Sequence, residues 1–130
     1  MTDLAVFILR LAIGVVFSGH GLQKAFGLFG GPGINAFSGM LSGLGFAPAL
    51  LWAYAVAYIE LIAGVFLIAG LFTRVSSLLL IIIMVVAAVK VHLRNGFFLQ
   101  NGGFEYIFVL TCALLAILIN GAGSFSFSKK

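Results

Sequence analysis

The sequence predicts an all-α integral membrane protein: a bundle of four transmembrane helices with a short interfacial helix in the first loop. Three observations carry this expectation. The 130 residues are 63% apolar and 8% charged, with a mean hydropathy of +1.28, whereas a soluble domain is roughly half apolar and about a quarter charged. Four apolar stretches, near 4–22, 49–72, 75–93 and 104–120, approach the roughly 20 residues a helix needs to cross hydrocarbon. No long polar segment separates them, so residues 1–130 read as one membrane domain whose first partner is the lipid bilayer. Seven basic residues against three acidic ones give a net charge of +4. Most of these cations stand singly at the edges of apolar stretches, which suits membrane flanks and excludes a nucleic-acid partner. The lone cysteine, Cys112, excludes an internal disulfide, a CxxC redox pair and a thiolate metal site. It reads as a small buried hydrophobe.

The first span is interrupted only by Arg10, Ser18 and His20. The connection after it opens with Gly27-Leu28-Phe29-Gly30-Gly31-Pro32-Gly33 and closes with Gly45-Phe46-Ala47-Pro48. Between them, Ile34, Phe37, Met40, Leu41 and Leu44 fall at helical spacing, so residues 35–44 read either as a short interfacial helix or as an irregular apolar loop. The second span carries one charge, Glu60, at its midpoint. Only Phe72-Thr73-Arg74 separates it from the third, which makes those two antiparallel neighbours. The third span acquires Lys90 and His92 in its last turn. A Gly, Asn and Phe rich loop, 95–103, then reads as dipping into the headgroups before Glu105 opens the fourth span. The start, Met1-Thr2-Asp3, lacks the basic leader of a cleavable signal peptide. Arg74, Lys129 and Lys130 flank one side of the membrane and Lys24, Lys90 and Arg94 the other. This balance leaves only the paired terminal lysines to favour cytoplasmic termini.

Charges inside spans cost about 2.5 to 3.5 kcal/mol each on insertion scales. Arg10 and Glu60 are therefore expected to pair, with Gly14, Gly21, Ala53, Ala57 and Gly64 letting the two helices approach. On the loop side His20 and Lys24, four residues apart, join Lys90, Arg94 and Glu105 in a second cluster. In a binding reading, Arg10, Lys24, Lys90 and Arg94 hold an anionic or quinone-like ligand, and Glu60, His20 or Glu105 transfers the proton. In a structural reading the interior pair locks two helices and the terminal cations snorkel to the interface. A haem held by His20 and His92 is disfavoured, because His92 lies two residues from Lys90 and points to nearly the opposite helix face. Trp52, Tyr54, Tyr58, Phe97, Phe98 and Tyr106 read as an aromatic belt or as stacking partners for a quinone ring.

The order of motifs resembles the DoxX family. Arg10 with Gly14, then Gly19-His20-Gly21-Leu22-Gln23-Lys24, is similar to the R-x3-G and G-x4-K pattern of its first helix. Glu60-Leu61-Ile62-Ala63-Gly64 with Gly70-Leu71-Phe72-Thr73-Arg74 resembles its second signature, and Phe97-Phe98 with Gly102-Gly103-Phe104-Glu105-Tyr106 its third. Gly121-Ala122-Gly123-Ser124-Phe125-Ser126 resembles its closing G-P-G-R-Y-S-L-D tail, departing from it at Ala122, Ser124, Phe125 and Ser128. The resemblance implies a small four-helix protein of the bacterial inner membrane in a redox or oxidative-stress setting. Relatives include a subunit of a thiosulfate:quinone oxidoreductase, and another that joins a superoxide dismutase and a sulfurtransferase. The expectation is thus a redox-associated subunit with a quinone, a redox partner protein and a second copy of the chain as candidate partners. The alternative is a non-catalytic scaffold or small-solute carrier in which Arg10 and Glu60 are structural.

Overall fold

The computed structural model describes residues 2–127. Lys129 and Lys130, on which the expected orientation rests, lie outside these residues, as do Met1 and Ser128. Five α-helices carry the fold: α1 (Asp3–Phe26), α2 (Gly33–Gly43), α3 (Ala49–Ala69), α4 (Thr73–Ala87) and α5 (Glu105–Asn120). A π-helical turn, Ala88–His92, extends α4, and short 3₁₀ turns fill parts of the loops. Three stretches are long and apolar enough to cross a membrane: Asp3–Phe26, Ala49–Ala69 and Thr73–Asn95. Helix α5 is apolar but has 16 residues, short of the roughly 20 that cross hydrocarbon without adjustment.

The four long helices close a ring in which α1 packs on α3, α3 on α4, α4 on α5 and α5 on α1. Their inward residues form one core, with Ile13 and Phe17 from α1, Leu67 from α3, Leu80 from α4, and Leu110, Leu114 and Ile117 from α5. These recur at three- and four-residue intervals, the spacing that keeps a stripe on one helix face. Cys112 falls off that stripe, two residues past Leu110, and is exposed on the outside of α5 rather than buried.

Glycine sets the tightest contact. A Cβ on Gly21 would stand 2.5 Å from the backbone nitrogen of Leu61, and one on Gly64 would stand 2.6 Å from that of Ser18. The backbones of α1 and α3 therefore touch, as small residues permit between membrane helices. The same contacts fix the antiparallel register: Gly21 is level with Leu61, and Gly14 with the segment from Gly64 to Ile68. At this register the start of α3 overhangs α1 by roughly 10 Å and the start of α1 overhangs α3 by roughly 15 Å. The overhanging start of α3 is covered by α2, whose buried Phe37 and Leu41 pack on Ala53. The overhanging start of α1 is covered by the tail, where Ser124 donates to Asp3 at 2.5 Å and Phe127 N–H donates to the Ala69 carbonyl.

Candidate functional site

The register separates the two interior charges. Glu60 stands about 18 Å along the axis from Arg10, at 1.5 Å per residue, so the expected pair does not form. The expectation treated the spans as equal in depth, but the glycine contacts slide them in opposite directions. Arg10 is fully buried and donates to four carbonyls instead. Its Nε bonds the Leu67 oxygen at 2.9 Å, Nη2 bonds that of Ile68 at 3.2 Å, and Nη1 bonds those of Ala122 and Phe125 at 2.8 and 2.9 Å. Leu67 and Ile68 end α3, where carbonyls lack intrahelical partners and carry the negative end of the helix dipole. The guanidinium thus caps α3 and ties the tail to it. Because the tail offers main-chain oxygens, its side-chain departures at Ala122 and Phe125 leave this attachment intact. Arg74 does the same for α5, donating to the Leu118 and Ile119 carbonyls.

Glu60 pairs with Lys24. The ammonium sits 2.6 Å from Oε1 and 2.8 Å from Oε2, a two-oxygen contact joining the end of α1 to the middle of α3. Glu60 is 1% exposed and the Lys24 side chain 22%, so the carboxylate is sealed while the lysine stays partly open to the exterior. The outer side of Lys24 is covered by the Phe37 ring, 4.9 Å from its nitrogen. His20, one turn before Lys24, lies within electrostatic range of both partners. Its ring packs on Tyr106 of α5 at 6.3 Å between centroids. The site therefore draws a carboxylate, an ammonium, an imidazole, a phenol and a phenyl ring from α1, α2, α3 and α5. Spacing on one helix face made His20 and Lys24 legible. Tyr106 was visible as a belt aromatic, and the sequence-level reading missed Phe37, although its spacing to Leu41 marks the buried face of α2.

The remaining predicted site residues are engaged elsewhere. Lys90 places its ammonium 5.7 Å from the Phe46 ring, and Arg94 donates to the Lys90 carbonyl. Glu105 accepts from the Leu99 amide at 2.9 Å, while His92 Nδ1 lies 2.8 Å from the Gly102 oxygen. Those last two contacts pin the 95–104 loop, and among the described residues Lys90, Arg94 and Glu105 engage local backbone and ring partners rather than bonding Glu60 or Lys24. The physical reason is local. The π turn shifts the phase of residues 88–92 relative to α4, and the loop supplies nearby backbone partners before any distant ligand could. Among the described residues no three His, Cys, Asp or Glu side chains gather as a metal site.

The DoxX family profile matches residues 5–93, which include Arg10, His20, Lys24, Glu60 and Lys90. Among curated proteins the chain is similar to "Putative oxidoreductase CatD" of Bacillus subtilis (strain 168). The two are 35% identical over 115 residues, covering 88% of this chain and 79% of the relative. No solved structure matches.

Proposed function

Because the chain belongs to the DoxX family, we propose that it is a redox-associated subunit of the bacterial inner membrane that engages a quinone at the Lys24–Glu60–His20 site. The observation that carries this reading is the buried Glu60 carboxylate, held by Lys24 beside an imidazole and a phenol on neighbouring helices. An ionisable group at this depth is expensive unless it has a task or a partner, and here it has titratable neighbours as well as a partner. The name of the Bacillus relative supports an oxidoreductase setting for this chain too.

In this reading all four long helices span the membrane, α5 by local thinning of the bilayer. Helix α2 lies at the interface and both termini are cytoplasmic. Reducing a quinone to its quinol takes two electrons and two protons. The electrons come from a redox partner protein, since a single cysteine cannot cycle as an internal dithiol. The protons pass through groups at the site: His20 next to Tyr106, and Glu60 once Lys24 swings away. Lys24 then orients the ring by donating to a quinone carbonyl. Lys90 and Arg94, at the same end of the bundle, suit anionic lipid headgroups.

The competing reading is a non-catalytic scaffold or carrier, favoured by how completely Lys24 satisfies Glu60. One experiment separates them. Purified protein in lipid nanodiscs is heated with and without a short-chain quinone, and cells carrying Glu60→Gln are challenged with oxidants and thiol stress. The quinone reading expects a thermal shift in the wild type that Glu60→Gln lacks, together with lost resistance. Absence of any shift, with resistance unchanged in the variant, sinks it in favour of the scaffold.

A further inference from the structure

The Lys24–Glu60 pair meets the exterior only through Lys24, whose side chain is partly exposed. Glu60 is sealed, and the Lys24 ammonium lies against the ring of Phe37, which is itself 4% exposed. Phe37 belongs to α2, which is seated on α3 by a small apolar patch of Phe37, Leu41 and Ala53 with Ile34, Phe46, Ala49 and Val56 at its rim. Glycines at positive φ stand at both ends of this helix, Gly33 at 72° as its first residue and Gly45 at 93° shortly after its last. Such residues can absorb a change in chain direction that other residues resist. A second lysine clasps the same connection from α4, with the Lys90 ammonium against Phe46.

Taking the Lys24–Glu60 pair as the functional site, we infer that α2 is the door to it and that Phe37 is the residue that positions Lys24 on Glu60. The aromatic face holds the ammonium electrostatically and excludes water from it. With the ring in place, the Lys24 ammonium divides its contacts between one carboxylate and one aromatic face. When α2 lifts about its glycine ends, Phe37 leaves, the ammonium gains a free side, and a ligand entering from the loop end of the bundle meets Lys24 before Glu60. A ligand that binds only the lifted state then draws the door open in proportion to its preference for that state.

The test needs no redox substrate, so its outcome is separable from that of the quinone reading. Full-length protein carrying Cys112→Ser in nanodiscs is exposed to a small amine-reactive reagent, and the labelling rate of Lys24 is read by peptide mass spectrometry. Phe37→Ala is expected to raise that rate about five-fold, the scale of a lost cation–π contact, and Phe37→Tyr to keep it at the wild-type value. A second variant, Leu41→Cys with Ala53→Cys, ties α2 down. Oxidation should slow Lys24 labelling several-fold and reduction restore it, whether or not Phe37→Ala folds. A Lys24 rate that neither the Phe37→Ala opening nor the cross-link changes overturns the door. A quinone-induced thermal shift alongside an unchanged Lys24 rate overturns the door alone.

Discussion

The two ends of the α1–α3 pair solve the same problem differently. At each end one helix overhangs its antiparallel neighbour, another segment covers the overhang, and a basic residue of α1 meets the cover, Arg10 fully buried and Lys24 partly so. At the terminus end Arg10 meets carbonyls alone: four fixed acceptors from α3 and the tail. At the loop end Lys24 meets a single carboxylate and an aromatic face supplied by a helix with positive-φ glycines at its two ends. A guanidinium has five donors in a rigid fork and stays charged throughout the accessible pH range, which suits permanent stitching. An ammonium on a flexible stem beside a carboxylate can exchange partners and protons. The contrast teaches that burial of charge in this protein does not by itself mark a site: Arg10 is the more deeply buried of the two cations and is spent wholly on main-chain oxygens.

The largest expected effect lies at the stitched end. Arg10→Ala removes the donor from two buried and two part-buried carbonyls, and each buried one is worth about 1–3 kcal/mol when stranded. Folded yield by size-exclusion chromatography should collapse, and Arg10→Lys should rescue little because one ammonium cannot satisfy the same four acceptors. Full recovery with lysine would erase the distinction between the two ends. Next come Gly21→Leu and Gly64→Leu, which drive side-chain atoms into the partner backbone and cost about 1–3 kcal/mol or more. Gly19→Ala, where a Cβ meets nothing within 4 Å, serves as the neutral control in the same melting experiment.

At the exchangeable end the expectation is an asymmetry. Lys24→Met strands a sealed carboxylate, whereas Glu60→Gln leaves a lysine that is partly open to the exterior, so the first should lower the melting temperature more than the second. The double variant should recover part of the loss, and equal single effects would mean that the site is as closed as the terminus end. The smallest change is expected for Ser124→Ala. It removes one exposed hydroxyl bond to Asp3 and should stay within about 1 kcal/mol, since the tail is held by its main chain through Arg10.

Much of this was legible from residue order. The helical segments, the tight α3–α4 turn at Phe72-Thr73-Arg74 and the one-face placement of His20 and Lys24 follow from spacing, because each depends on neighbours within a few residues; the same spacing left residues 35–44 open between a short helix and a loop, and the structure makes them part of α2. The partner of Glu60 was not legible. Apolar length and periodicity define a helix and its inward face but leave it free to slide along its neighbour, and a slide of about 13 Å, between eight and nine residues of rise, replaces Arg10 with Lys24. Cys112 was misplaced for a related reason: in an apolar helix with lipid outside, hydrophobicity does not tell inside from outside, and only the stripe of Ile107, Leu110, Leu114 and Ile117 does. Lys90, Arg94 and Glu105 share an end of the bundle with the site, yet nearby backbone and ring partners take them first.

What the sequence by itself determined is that this chain belongs in a bilayer, that it is helical, and which few polar residues must be accommodated there, since those follow from composition and the cost of charge in lipid. The tertiary structure alone decided who meets whom. The glycine contacts that set the register are backbone against backbone, and their consequence, an overhang at each end with a different cover, exists only once the helices are side by side.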